Sequence, residues 1–143
     1  RSSDVNIGGT TWKPEIPDMI RISDEVHNIM NQDTSITEKA ITLMLFLMRS
    51  QIFYDGNKRV AQLAANQVMI QNGKGIISIP VEHQEQFFVM LVKYYETNQM
   101  DEIKQFVYES SVSGINFQKK MDAKPVSKEE FYRKKVKPIS PKL

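Results

Sequence analysis

Residues 35–50 have the sequence SITEKAITLMLFLMRS, and this stretch decides the fold predicted for the chain. Ser35, followed three residues later by Glu38, is a capping-box pattern, in which the serine oxygen accepts one free N–H group and the glutamate reaches back to another. Apolar side chains cover every face of the helix that would follow the cap. Because a helix that is apolar on all sides is normally buried, the pattern predicts a central helix over residues 35–50.

The next residues, QIFYDGNKR over 51–59, connect this helix to another one. Gly56 allows the backbone to approach a ligand closely, and the helix beyond it directs free N–H groups out of the turn. Such a turn binds anions, and Arg59 can hold a phosphate through two parallel hydrogen bonds. Asp55 is an oxygen ligand suited to Mg²⁺. Phosphate and magnesium together indicate a nucleotide; the alternative is an ordinary helix-to-helix turn followed by a solvated Lys-Arg pair.

The rest of the sequence predicts an all-α domain, a helical bundle of five or more helices with one small β-hairpin. Gly8 and Gly9 separate two short runs and predict a tight hairpin over residues 5–12. Apolar spacing and cap residues predict further helices over 19–32, 59–72, 81–97 and 101–111, with a short extended connection over 75–80.

The helix predicted over 59–72 has apolar residues at helical spacing, and these predict the face that it buries. They are Val60, Leu63, Ala64 and Val68. Trp12 is expected to pack against the bundle, although it could also anchor a partner.

The composition limits the chemistry that is open to the chain. A length of 143 residues is one domain, and the absence of cysteine excludes disulfides, cysteine-based zinc sites and thiol catalysis. His27 and His83 are the only histidines, so no histidine-rich metal site is expected. No apolar run approaches the ~20 residues that span a bilayer. The lack of cysteine fits a reducing compartment, and we expect a cytoplasmic protein without a membrane partner.

The charge is distributed unevenly between a body and a tail. Residues 118–143 hold nine Lys/Arg against three Asp/Glu, a net charge of +6, whereas residues 1–117 carry a net charge of −4. We therefore expect a domain over 1–117 and a basic extension over 118–143, in which residues 127–135 could form a short helix. An acidic body argues against nucleic acid as the partner. The extension is expected to be solvated; the alternative is contact with an acidic partner.

The stretch from Phe53 to Arg59 resembles the signature of the Fic/Doc family. That signature is His, any residue, Phe, any residue, Asp or Glu, Gly, Asn, Gly or Lys, and Arg. Many members also carry a Gly-rich hairpin followed by Thr, an aromatic residue, Lys and Pro, to which Gly8 to Pro14 is similar. The order of the predicted elements is similar as well, and the resemblance covers roughly residues 5–110.

The resemblance implies transfer of AMP from ATP, or of a phosphate, to a hydroxyl of a target protein. It implies that Asp55 binds Mg²⁺, that Arg59 contacts phosphate, and that the anion nest is lined by Gly56, Asn57 and Lys58. It further implies that the upstream hairpin, which the family calls the flap, docks the target by strand addition. The flap positions are Ile7, Gly8, Gly9, Thr10 and Thr11. The implied cofactors are ATP, or another nucleotide, and Mg²⁺.

Two positions depart from the family pattern. Gln51 stands where the family has its catalytic histidine, and glutamine cannot act as a general base. Gln62 stands where many AMP-transferring members have a second arginine. His27 and His83 lie on other predicted helices and are poor substitutes for the base. The segment that inhibits some members has no good match here, so any inhibitor would lie outside this sequence or on a partner.

Three hypotheses follow for the function. The first is a nucleotide-binding domain whose transfer activity is impaired because of Gln51. The second is an active AMP- or phospho-transferase that uses another base. The third is a protein-interaction module without nucleotide binding.

Overall fold

The computed structural model describes residues 1–114, which form a bundle of five α-helices and one two-stranded sheet. The helices are α1 (Met19–Asn31), α2 (Ile36–Ser50), α3 (Asn57–Gln71), α4 (Gln84–Thr97) and α5 (Asp101–Ser111). The strands are β1 (Ile76–Ile77) and β2 (Val112–Ser113), and a 3₁₀ turn, Val81–His83, precedes α4. This architecture confirms the predicted all-α class. The expectations for residues 118–143 lie outside the described residues.

Helix α2 is the centre of the bundle, and it packs against α1, α3 and α5. Its interior residues from Ala40 to Leu45 are all buried, as is Met48. The Ser35 hydroxyl accepts a hydrogen bond from the Glu38 backbone N–H at 3.1 Å, as expected for the cap. The Glu38 carboxylate does not close the predicted capping box, however. It accepts from the Lys104 ammonium at 2.9 Å instead and so ties α2 to α5.

Helix α3 begins at Asn57, two residues earlier than predicted, and it buries a different face. Its buried residues recur at every fourth position: Asn57, Ala61, Ala65 and Met69. The predicted face was therefore wrong in part: Val60 and Leu63 are 43% and 70% exposed, whereas Val68 is partly buried against the core. The small alanines allow α3 to lie close to the large apolar side chains of α2, and this leaves Val60, Leu63 and Ile70 on the outside.

The short sheet closes the bundle at the far end of α3. Strand β1 pairs with β2 in antiparallel register, Ile76 opposite Ser113 and Ile77 opposite Val112. On its other edge the Asn66 side chain of α3 bonds the Ile77 backbone twice, accepting from the N–H at 2.7 Å and donating to the carbonyl at 2.9 Å. The amide thereby replaces a third strand.

The predicted hairpin over residues 5–12 is present only as its turn. Gly9 has a φ of +85°, as a tight turn requires, but residues 5–12 contain no strand. The second arm packs on α4 instead of pairing with the first arm. The Thr10 hydroxyl donates to the Glu96 carboxylate at 2.6 Å, and the Trp12 ring stacks on Tyr95 with centroids 5.5 Å apart. We call residues 5–12 the glycine turn segment.

The two glycines between α3 and β1 provide a matched test of this packing. Gly73 and Gly75 both have positive φ, +63° and +83°, but a β-carbon at Gly73 would meet nothing, whereas one at Gly75 would lie 2.0 Å from the Ser113 carbonyl oxygen. We expect Gly73→Ala to lower the free energy of unfolding by about 1–2 kcal/mol. Gly75→Ala should lower it by at least about 1 kcal/mol more, because the β1–β2 pair must separate. Urea unfolding followed by circular dichroism measures both; equal losses would contradict this account of the sheet.

Candidate functional site

The candidate site is the loop over residues 51–56, which reverses the chain between the end of α2 and the start of α3. We call it the motif loop. Both of its ends have a left-handed backbone: Gln51 caps α2 with a φ of +44°, and Gly56 caps α3 with a φ of +80°. Glycine adopts this conformation without penalty, whereas glutamine is strained there by about 1–2 kcal/mol. The loop must therefore be held by other contacts.

Asn57 supplies most of those contacts. Its side chain is 8% exposed; the amide oxygen accepts from the Phe53 N–H at 2.8 Å, and the amide nitrogen donates to the Phe53 carbonyl at 2.7 Å and to the Gln51 Oε1 at 3.1 Å. The side chain thus closes the loop from within. Of Asn57, only the backbone N–H remains as a candidate for the predicted anion nest.

Gln51 stands at the position of the family histidine, and both the nitrogen and the oxygen of its side-chain amide are hydrogen-bonded. Its Nε2 donates to the Met48 carbonyl at 2.6 Å, while its Oε1 accepts from Asn57. Tyr95 also contacts Gln51, but burial raises the pKa of this phenol above its usual value of about 10. Neither group is therefore a base at neutral pH.

Asp55 and Arg59 lie together at the mouth of the loop. One Asp55 oxygen accepts from the Gly56 N–H at 2.6 Å, and the other pairs with Arg59 NH2 at 3.2 Å. The two side chains are 92% and 76% exposed, so the ion pair contributes only about 0–1 kcal/mol. Because Gly56 has no side chain, no side chain caps the N–H groups at the start of α3. A carboxylate, a guanidinium and an uncapped helix start therefore meet at one place.

Lys58 and the glycine turn segment lie along the same face of α4. The Lys58 ammonium is 4.9 Å from the centroid of the Phe88 ring. One turn further along α4, a β-carbon at Gly9 would lie 3.7 Å from Val92, and one turn beyond that Glu96 accepts from Thr10. The structure thus gathers the predicted phosphate and flap residues along one helix, although the Lys58 side chain is engaged by Phe88.

The first three residues lie across the motif loop, an arrangement that sequence reasoning missed. The Arg1 guanidinium donates to the carbonyls of Gln51 at 2.7 Å and Glu15 at 2.6 Å. The Tyr54 phenol oxygen is within 3.2 Å of hydrogen-bonding groups of Ser2 and Ser3. These hydrogen bonds, the Ser2 hydroxyl first, lower the pKa of Tyr54 below its usual value. No local pattern predicts contacts between residues about 50 positions apart.

The remaining candidates contact other parts of the bundle. The His27 ring bonds the Ser23 carbonyl on its own helix, and His83 meets the edge of Phe106. The Gln62 amide donates to the Ile77 carbonyl at 3.2 Å and supports β1.

Within residues 1–114 no group of three or more acidic, histidine or cysteine side chains could hold a metal ion by itself. Nor is any helix of this part long and apolar enough to cross a membrane.

Comparison with known families agrees with the motif. The family model of the Fic/DOC family matches residues 1–69, a region that includes the glycine turn segment, α1, α2, the motif loop and most of α3. The match over residues 1–69 confirms the resemblance to this family that the motif predicts. The family generally transfers nucleotide-derived groups to proteins. No curated protein matches the chain.

The role of Asn57 as an internal clamp can be tested with a matched asparagine. Asn57→Ala leaves the N–H and carbonyl of Phe53 unpaired in a partly buried loop, so we expect a loss of about 2–3 kcal/mol in the free energy of unfolding. Asn72→Ala removes one exposed bond, to Val68, and should cost less than about 1 kcal/mol. Urea unfolding measures both values. A loss for Asn57→Ala no greater than that for Asn72→Ala would mean that the clamp is dispensable.

Proposed function

We propose that this chain is a nucleotide-binding Fic/DOC domain in which transfer of a nucleotide-derived group to a protein hydroxyl is impaired. The observation that carries the proposal is the state of the motif loop. Its anion-binding and carboxylate groups are exposed at the mouth, whereas the amide of Gln51 occupies the position of the base.

Nucleotide binding is supported by the weakness of the Asp55–Arg59 ion pair. Both side chains are exposed, so a ligand can separate them at a cost of about 0–1 kcal/mol. Arg59 would then hold a phosphate through two hydrogen bonds. The backbone N–H groups of Asn57 and Lys58, at the start of α3, would donate hydrogen bonds to the phosphate oxygens. The ligand would replace one weak ion pair by several charge-assisted bonds.

The donor set at the loop fits Mg²⁺ bound together with a nucleotide. Asp55 is the one carboxylate of the loop, and Mg²⁺ is often held by one or two carboxylates plus substrate phosphates. Asp55 would therefore hold the ion only when phosphate oxygens complete its coordination. The ion would neutralise phosphate charge; the proposed nucleotide is ATP, and other nucleotides have the same phosphate chemistry.

Impairment is supported by the absence of a proton acceptor at the position of the family histidine. A positioned general base contributes about 10²–10⁴-fold to such a reaction. Gln51 has no basic atom, and the raised pKa of Tyr95 keeps that phenol protonated at neutral pH. Asp55 is assigned to the metal.

The glycine turn segment is the proposed docking position for the target protein. Its arms form no ladder with each other, so apart from the Trp12 N–H, which donates to the Thr10 hydroxyl, their backbone groups are available to an added strand. Thr10 and Trp12 anchor the second arm on α4, the helix whose Phe88 contacts Lys58 of the motif. A docked segment would therefore lie close to the mouth of the loop.

Nucleotide binding is tested by calorimetric titration with ATP and Mg²⁺. We expect the unchanged chain to bind and Arg59→Ala to bind at least about tenfold more weakly, because a charge-assisted pair of bonds is lost. Arg21→Ala is the matched control, since Arg21 is a similarly exposed arginine paired with an acidic side chain, Glu15. It should bind as the unchanged chain does. If the unchanged chain binds no nucleotide, the proposal fails and an interaction module replaces it.

The missing base is tested by Gln51→His with Gln51→Asn as its control. Asparagine tolerates the left-handed conformation but has no basic atom, so it separates the effect of the base from that of the backbone. We expect Gln51→His to raise transfer by up to about 10²–10⁴-fold and Gln51→Asn to leave it unchanged. Intact-mass measurement of the chain after incubation with ATP and Mg²⁺ detects the transferred group. Retained ATP binding with no gain for Gln51→His would show that more than the base is missing.

A further inference from the structure

A second concave surface lies apart from the mouth of the motif loop. It is a cleft of about 610 Å³ between residues 12–18, the first half of α1 and the last turns of α2. Its apolar lining includes Trp12, Phe46, Tyr94 and Met100. The volume falls within the range of about 300–1,000 Å³ that is typical of small-molecule sites. None of the residues assigned to nucleotide or metal lines it.

Arg49 is the central charged group of this cleft. Its guanidinium carbon is 4.7 Å from the centroid of the Trp12 ring and 6.0 Å from that of Tyr94, and its Nε donates to the Tyr95 carbonyl at 3.2 Å. The side chain is partly buried, and within residues 1–114 it has no carboxylate partner. The two terminal nitrogens of a permanently charged guanidinium therefore remain available.

The three acidic residues that line the same cleft each have another partner, and for Glu25 it is the Asn28 amide, which donates to it at 3.4 Å. Asp18 accepts from the N–H groups of Ile20 and Arg21 and caps α1. Glu15 pairs with the Arg21 guanidinium at 3.9 Å. Arg49 differs from Arg21 in having no ion-pair partner among the described residues.

We infer that this cleft binds a small organic acid with one carboxylate on an aromatic or other apolar body. The planar end of the Arg49 guanidinium matches a carboxylate in a two-bond arrangement, and the partly exposed Ile16, Phe46 and Met100 offer apolar surface for the body of the ligand. A singly charged ligand fits better than a phosphate dianion, because Glu15, Asp18 and Glu25 also line the cleft and repel a second charge. This site is independent of the proposed nucleotide site.

Trp12 makes the inference directly measurable, because it is the only tryptophan of the chain and it lines the cleft. The probe is 3-phenylpropionate, with the neutral 3-phenylpropan-1-ol and inorganic phosphate as comparisons, and Trp12 fluorescence is the signal. We expect a saturable change with 3-phenylpropionate at concentrations at least about tenfold lower than with either comparison ligand. No saturable change with the acid, or an equal response to the alcohol, would overturn the inference.

Two arginine variants separate the role of Arg49 from general positive charge. Arg49→Met keeps an apolar stem beside Trp12 and should weaken binding of 3-phenylpropionate at least about tenfold. Arg21→Met removes the paired arginine of the same cleft and should change binding less than about threefold. An equal loss in both variants would overturn the inference. Far-UV circular dichroism verifies that each variant is folded. If Arg49→Met does not fold, the comparison of 3-phenylpropionate with 3-phenylpropan-1-ol in the unchanged chain still tests the inference.

Discussion

The burial of α2 is the constraint on which the other elements depend. Because this helix is apolar on every face, α1, α3 and α5 must all pack against it. Helix α3 follows after only six residues, so the chain must reverse within the motif loop, and left-handed residues at Gln51 and Gly56 make that reversal possible. The reversal places the uncapped start of α3 at the surface. The geometry that we propose for anion binding is therefore a consequence of how the core is covered.

The motif loop has two kinds of contact: shielded hydrogen bonds that hold its conformation, and an exposed ion pair at its mouth that a ligand can replace. The interior depends on Asn57, whose hydrogen bonds are shielded and cost about 1–3 kcal/mol for each group left unpaired. The mouth has Asp55 and Arg59, whose exposed pair contributes about 0–1 kcal/mol. A ligand can therefore replace the contacts at the mouth without disturbing those that hold the loop. This difference in magnitude is what a preformed binding site requires.

The sequence predicts the features that depend on neighbouring residues, such as the Ser35 cap and the turn at Gly8 and Gly9. Prediction from the sequence fails where segments that are far apart in the chain compete for the same packing surface. The face of α3 was mispredicted because small alanines pack more closely on α2 than the larger Val60 and Leu63 do. The arms of the glycine turn segment do not pair, since α4 holds one of them. The candidate site residues come from the motif, but neither the Asn57 clamp nor the Arg49 cleft has a local pattern that would predict it.

At position 51 one side chain would have to do two things: make the hydrogen bonds that stabilise the loop and provide a basic atom for catalysis. The Gln51 amide has both a donor for the Met48 carbonyl and an acceptor for the Asn57 amide, so it pairs both of these groups. A neutral imidazole also has one donor and one acceptor, but the acceptor nitrogen is the atom that must take the proton. A histidine that made both bonds of Gln51 would have no free basic nitrogen. A base at this position must therefore release Asn57, at some cost in loop stability, before it can act.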